Sequence, residues 1–267
     1  MKYYQHLKKI NDGKYGSRVG LWKLLAIYNL KYLFLRPGVV ALTLKNRYKS
    51  RKKLLYTIIV GDYDILNEIP RKLDNWDYVC YTDNPDLVSS SWDIRFLENE
   101  MGLDPIRLSR YYKINNHLVD KGYDLSIYTD ANIRIRGDLD CYIAHAHAPG
   151  SVFSILLHPF LFSLEQEVKQ CIEHEKDNAT LLMAQYNHYL ENGYRDCFPH
   201  INARMMIRKT GDPSVRRLMG TWFEQLQNWS KRDQVCFNYS LSLCSDIKPD
   251  YIPYWIFRRY FKKMDHQ

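Results

Sequence analysis

Leu54-Leu-Tyr-Thr-Ile-Ile-Val60 is a continuous run of apolar and β-branched residues. That pattern predicts a parallel strand covered on both faces. Gly61-Asp-Tyr-Asp64 follows as a loop. Tyr78-Val-Cys-Tyr81 predicts a second strand, closed by the turn Thr82-Asp83-Asn84-Pro85. Trp92-Asp-Ile-Arg-Phe-Leu97 alternates, as a half-exposed third strand does. Pro105 opens a helix reaching Val119, and Gly122 ends it. Asp124–Tyr128 is the fourth strand, and Gly137-Asp-Leu-Asp140 is a turn. Ser151–Leu157 and Arg204-Met-Met-Ile-Arg208 are further strands. Between them one long helical pattern runs from Leu164 to Leu190, closed by Asn192-Gly193. Asp212-Pro213 starts a helix to Trp229, with Asp at the cap and Pro in the first turn. Ser230-Lys-Arg-Asp-Gln234 caps a last helix through Leu243. Strands alternate with helices, so the expected fold is α/β, a mostly parallel sheet flanked by helices.

The chain has 267 residues, 46% of them hydrophobic, enough for one large α/β domain with extensions. Its net charge of +8 is unevenly spread. Residues 1–53 hold 14 Lys or Arg and one acid, Asp12. Residues 246–267 hold five basic residues and three acids, and the middle holds 19 basic against 26 acidic residues. Three segments follow: a basic, amphipathic, helical N-terminal extension at 1–53, a domain at 54–245, and a basic aromatic tail at 246–267. Leu21-Trp-Lys-Leu-Leu-Ala-Ile-Tyr28 and Tyr254-Trp-Ile-Phe-Arg-Arg-Tyr-Phe-Lys-Lys263 mix large apolar groups with cations. That suits a chain lying on an anionic membrane surface better than a nucleic-acid arm. A helix packed on the domain with solvated lysines fits the first segment too. Lys23, Lys31 and Arg36 interrupt every candidate span, and no apolar core with a small-residue cleavage site follows the basic start. The expected location is therefore the cytoplasm, peripheral on the cytosolic face of the membrane. Six scattered cysteines without CxxC pairing read as reduced thiols, mostly buried.

Chemistry gathers behind the strands. Asp62 and Tyr63 follow the first, Asp83 the second and Asp130-Ala131-Asn132 the fourth. Carboxyl ends of parallel strands form the ligand edge of an α/β sheet. Tyr63 is placed to stack on a base, and Asp62 or Asp83 to accept from a base N–H or ribose hydroxyls. An Asp with a second oxygen side chain two residues later can hold a divalent cation against a diphosphate. The same residues also suit turns and helix caps. Arg110, Lys113 and His117 fall at i, i+3 and i+7 of the predicted helix, one cationic face fit for phosphate or for a salt-bridged surface.

The order of these blocks resembles a known family. Ser109-Arg110-Tyr111-Tyr112-Lys113 with His117 leads to Tyr128-Thr-Asp-Ala-Asn-Ile133. Gly137-Asp-Leu139, His158-Pro159 and Ser230-Lys-Arg-Asp-Gln234 follow. The resemblance, over residues 55–245, is to a glycosyltransferase-like family long filed as a domain of unknown function. It includes plant Golgi proteins linked to mucilage and pectin synthesis and bacterial members found among surface-polysaccharide genes. It implies a GT-A-like (Rossmann-like) fold, a nucleotide-sugar donor (a UDP-sugar foremost) and Mn²⁺ or Mg²⁺. It implies transfer to a glycan or lipid-linked glycan in lipopolysaccharide or capsule synthesis, with retention; in an inverting reaction Asp233 would be the general base. By position, Asp130 and Asn132 would hold the metal, with His158 as third ligand. Asp233 would meet the acceptor hydroxyl or the sugar within the Arg232-Asp233-Gln234 block, and Arg232 or Arg208 would steady the departing phosphate. After His-Pro the family has a basic residue and an acidic helix start. Here Phe160-Leu-Phe-Ser-Leu-Glu165 stands instead, so a more apolar subsite is expected.

Two other classes compete. Some plant relatives are described as acting on ceramide-like lipids, yet no Gly-x-Ser-x-Gly elbow or His-Glu-x-x-His motif is present. An inert sugar-nucleotide or glycan-binding module would account for Asn132 in place of a second carboxylate. Nucleic-acid binding rests on net charge alone, and the acidic middle argues against it.

Overall fold

The computed structural model describes residues 51–61 and 63–265. Residues 1–50, which carry most of the basic extension, and Asp62 lie outside the described residues.

The apolar run after Lys52 becomes β1 (Lys53–Ile59), with every residue buried. It stands inside a seven-stranded sheet with β2 (Trp76–Thr82), β3 (Asp93–Phe96), β4 (Leu125–Thr129), β6 (Phe153–Leu157), β7 (Ile201–Lys209) and β8 (Asp250–Ile252). The order is β3-β2-β1-β4-β7-β6-β8. β7 runs antiparallel to both β4 and β6, while the β1–β2, β1–β4, β2–β3 and β6–β8 pairs are parallel. This is the mostly parallel, helix-flanked sheet expected from the sequence. Alternating β3 is the exposed edge, as its pattern predicts.

Both sheet faces are covered, which is why the inner strands tolerate no polar alternation. One face packs Leu55, Ile127 and Ile207 against α2 (Leu139–Ala146) and α7 (Tyr254–Tyr260). The other packs Tyr56, Tyr128 and Met206 against α1 (Pro105–Ile114), α5 (Pro213–Asn228) and α6 (Asp233–Ser242). A third cluster joins α3 (Leu164–Glu173) and α4 (Ala179–Glu191) to α6, with Tyr189 and Tyr239 stacked at 3.8 Å.

Several elements depart from the sequence reading. Helix α1 stops at Ile114 instead of Val119, followed by a 3-10 turn at Asn116–Leu118. Its Asn115 and Asn116 amides bond to Tyr111 O at 3.1 Å and Asp120 Oδ2 at 2.6 Å. The carbonyls of Lys113 and Ile114, which a longer helix would have paired with backbone N–H groups, are taken by the Arg208 guanidinium. The long pattern at 164–190 is two helices. Glu175 turns the chain at φ 48°, and Asn178 caps α4 by accepting from Leu181 N at 2.9 Å. The segment read as a tail from residue 246 is part of the core. It supplies β8, α7 and β9 (Phe261–Lys263), and it buries Ile252, Ile256, Phe257, Tyr260 and Phe261. Lys53, read as the last residue of the basic extension, opens β1 fully buried.

β9 pairs antiparallel with β5 (Ile133–Ile135), the strand directly behind Asp130-Ala131-Asn132. The turn at Gly137 runs against Tyr260, where a Cβ would meet the ring at 2.6 Å, so only glycine fits. The C-terminal segment is thereby clamped beside the loop that carries the site.

Candidate functional site

Tyr128 and Asp130 lie two residues apart across the end of β4 and so share a side. The Tyr128 hydroxyl donates to Asp130 Oδ1 at 2.8 Å. Burial first, and then the Asp130 charge, push the Tyr128 pKa far up, so this hydroxyl stays a donor. Asp130 itself keeps 34% of its side chain exposed.

Helix side chains lean toward the helix N-terminus. Lys113, in the last turn of α1, therefore reaches back toward the carboxyl edge of the sheet. Its ammonium lies 2.7 Å from Asp233 Oδ2 and 3.5 Å from Asp130 Oδ1, and 5.0 Å over the Tyr128 ring. Arg110, one turn earlier on the same face, places Nε 3.3 Å from Asp233 Oδ2. Asp233 opens α6, where a carboxylate also meets the positive end of the helix dipole. Burial pushes its pKa up, but Lys113, Arg110 and Arg232 outweigh this and hold it well below the carboxylate range. Four charged residues from the three sequence blocks thus form one buried seam.

Arg208 was expected at the departing phosphate. The structure places it elsewhere: it is 0% exposed. It donates to the carbonyls of Lys113 at 2.9 Å and Ile114 at 3.1 Å, and to the Tyr56 hydroxyl. It fastens the last turn of α1 and thereby positions Lys113. His117 also leaves the expected face, because α1 ends before it; it sits exposed in the 3-10 turn, where burial and then the Arg216 charge lower its pKa. Gln234 accepts from Ala203 N at 3.3 Å, tying α6 to β7. The Arg232 charge acts on both Asp233 and Glu167.

Asp83 accepts from Gly61 N through both oxygens, at 3.0 and 3.2 Å, and so staples the loop after β1 to the one after β2. Tyr63 is 67% exposed, close enough to act on the Arg110 charge. Asp62, expected beside it, lies outside the described residues.

The expected metal set is not assembled around His158. Its backbone N–H bonds to His200 O at 2.9 Å, whereas Asp130 N bonds to Arg204 O at 3.0 Å, four residues further along β7. Its Nδ1 accepts from Phe160 N at 3.2 Å and Leu161 N at 2.8 Å, a turn-capping role. Burial, and then His200, lower its pKa to about 4. No group of three His, Cys, Asp or Glu side chains among the described residues could hold a metal ion. What does adjoin the site is a hollow of about 210 Å³, lined by Asp64, Ile65, Asn67, Asn132, Met264 and Asp265. The Asn132 amide donates to Met264 O at 3.3 Å. The hollow brings the carboxylates of Asp64 and Asp265 to the same wall as Asn132.

Sequence reasoning missed Tyr128, Arg204 and the buried pair of Glu167 and His200, 3.0 Å apart. It also missed Asp265 in the hollow wall. Tyr128 had a local signal, standing two residues before Asp130; the others are joined to the site only through the fold.

No family model matches this chain, and no curated protein matches it. Among solved structures it is similar to one described as the apo structure of WbbM, a bifunctional glycosyltransferase. Identity is 13% and the TM-score 0.45, over 72% of this chain and 37% of that one.

Proposed function

We propose that this chain is a glycosyltransferase. It would take a sugar from a nucleotide-sugar, a UDP-sugar foremost, and pass it to a glycan or lipid-linked glycan acceptor in surface-polysaccharide synthesis. The observation that carries this reading is the seam itself. Arg110 and Lys113 are held by Asp233 against Asp130 at the carboxyl edge of the sheet, where such sheets take ligands. The motif resemblance supports it.

Transfer leaves a nucleoside diphosphate, whose growing negative charge has to be met. Arg110 and Lys113 are fixed cations in a buried setting, where they act strongly and need no reorganisation. Asp233 keeps both in place. Held ionised by three cations, it is a poor proton acceptor, which favours passing the acceptor proton to the departing phosphate, as retention requires. A Mg²⁺ or Mn²⁺ ion at Asp130 and Asn132 would neutralise diphosphate charge alongside them. Tyr63, exposed and near Arg110, would stack on the base.

The test is a thermal-shift screen against UDP-, GDP-, CMP- and dTDP-sugars with and without Mn²⁺, repeated on Asp130→Ala. A metal-dependent shift for one nucleotide class, lost in a variant that still melts cooperatively, is expected. Asp130→Ala should abolish transfer; near-normal turnover would defeat the assignment. Association with an anionic cytosolic membrane face falls to residues 1–50, since the C-terminal segment is built into the core. No helix among the described residues is long and apolar enough to cross a membrane. Deleting residues 1–50 is expected to lower co-sedimentation with anionic liposomes, and unchanged binding would remove the membrane role.

A further inference from the structure

We propose that the corner where β6 ends and β7 begins is the acceptor subsite, and that it takes a sugar carrying a carboxylate. The proposal rests on the transferase reading for the word acceptor, but its binding chemistry stands apart from it.

Three side chains make the corner. His158 Nδ1 accepts two backbone N–H groups, so the ring proton sits on Nε2. Among the described residues no group partners Nε2, and it is not a buried orphan. The ring therefore offers one fixed, neutral N–H donor to solvent. Arg204 Nε donates to Asn202 Oδ1 at 2.8 Å, and Asn202 Oδ1 also accepts Arg204 N at 3.2 Å. That fixes the guanidinium while leaving its two terminal nitrogens without a partner among the described residues. Phe160 is 77% exposed, with its ring 6.4 Å from that of His158.

The backbone explains the grouping. Ile155 pairs with Met206 but Leu156 pairs with Asn202, so β7 bulges over residues 203–205. Bulges re-aim side chains at the rims of sheets. This one carries Arg204, whose carbonyl accepts from Asp130 N, so the Arg204 side of the corner borders the charged seam and the His158 side lies further from it. An exposed aromatic ring covers the C–H face of a sugar, a neutral imidazole N–H meets a hydroxyl, and a guanidinium fork matches a carboxylate. The seam already supplies Arg110 and Lys113 for the diphosphate. The cation of Arg204 is therefore surplus to the donor, and an acidic sugar gives it a partner.

The experiment is calorimetric titration of the full chain, with UDP and Mn²⁺ present, using trigalacturonate and its carboxyl-reduced neutral counterpart. Wild type is expected to prefer the acidic trisaccharide. Arg204→Gln should lose that preference, about tenfold or more, while keeping its affinity for the neutral one. Phe160→Ala should weaken both sugars by a similar factor. Melting curves and UDP affinity should stay at wild-type values in both variants. No binding of either sugar, equal binding of both by wild type, or an unchanged preference in Arg204→Gln overturns the proposal. Loss of UDP affinity in either variant also overturns it, by assigning the corner to the donor. Acid-sugar binding in a chain that fails to bind UDP would retain the subsite and sink the transferase reading instead.

Discussion

Two buried lysine–aspartate pairs stand at opposite ends of the same sheet, and they differ in how much charge is left over. At the amino end of β1, Lys53 meets Asp140 at 2.6 Å, and Asp140 Oδ1 also accepts the Trp76 indole N–H at 2.9 Å. The Lys53 ammonium lies 5.2 Å over the Trp76 ring. One cation faces one carboxylate under an aromatic lid. At the carboxyl end, Lys113 is divided between Asp233 and Asp130, and Arg110 shares Asp233. The first arrangement holds β1 to α2. The second is open at Asp130 and ranged beside a hollow and two loops. A buried ion pair is weak evidence of function by itself; shared charge at a ligand edge is stronger.

The contrast can be broken by removing each lysine in turn. Lys53→Ala leaves a carboxylate buried with its cation gone, and should cost about 3–5 kcal/mol of stability by urea unfolding. A loss below about 1 kcal/mol would erase the distinction. Lys113→Ala leaves Asp233 its Arg110 partner, so the stability loss should be smaller, about 1–2 kcal/mol. Transfer should fall roughly 10²–10³-fold, the cost of removing one preorganised charge. If the two variants unfold alike and both keep turnover, the seam is structural.

A third and smaller effect separates the seam from the β6 corner by pH. Asp233 is held ionised far below neutrality, so it adds no limb to an activity profile between pH 5 and 8. His158, facing His200, Glu167 and Arg204, has its pKa lowered from 6.5 to about 4. The folded state then binds fewer protons there than the unfolded chain. This contribution is complete above roughly pH 6.5 and is lost as pH falls toward 4, by about 1–2 kcal/mol after allowance for solvent screening. His158→Gln should flatten that part of the stability curve. An unchanged slope would show that His158 is not held neutral.

How much was legible follows from the range of each interaction. β1, β2 and β4 were readable because burial on both faces writes itself as unbroken apolar runs. Arg110 and Lys113 were readable as a pair because i, i+3 spacing is local. Their neighbour His117 was misplaced, because the carbonyls that end the helix are taken by Arg208, a partner far away in sequence that periodicity does not register. The aromatic tail looked amphipathic because Tyr254–Lys263 interleaves cations with large rings. In the fold, the rings of Phe257, Tyr260 and Phe261 turn inward, while the cations stay outside.

The chain's own order of residues therefore determined the α/β class, the alternation of strand and helix, and the acid-bearing loops at strand ends. These depend on neighbours within a turn or a strand. Only the tertiary structure decided that Lys113 serves two carboxylates and that Arg208 is a fastener and not a ligand. It also set Arg204 in a bulge beside Asp130. Each of those outcomes joins residues far apart in sequence. A cation reads the same in a sequence whether water or a buried carbonyl will receive it; the packing of β4, β7, α1 and α6 makes that choice.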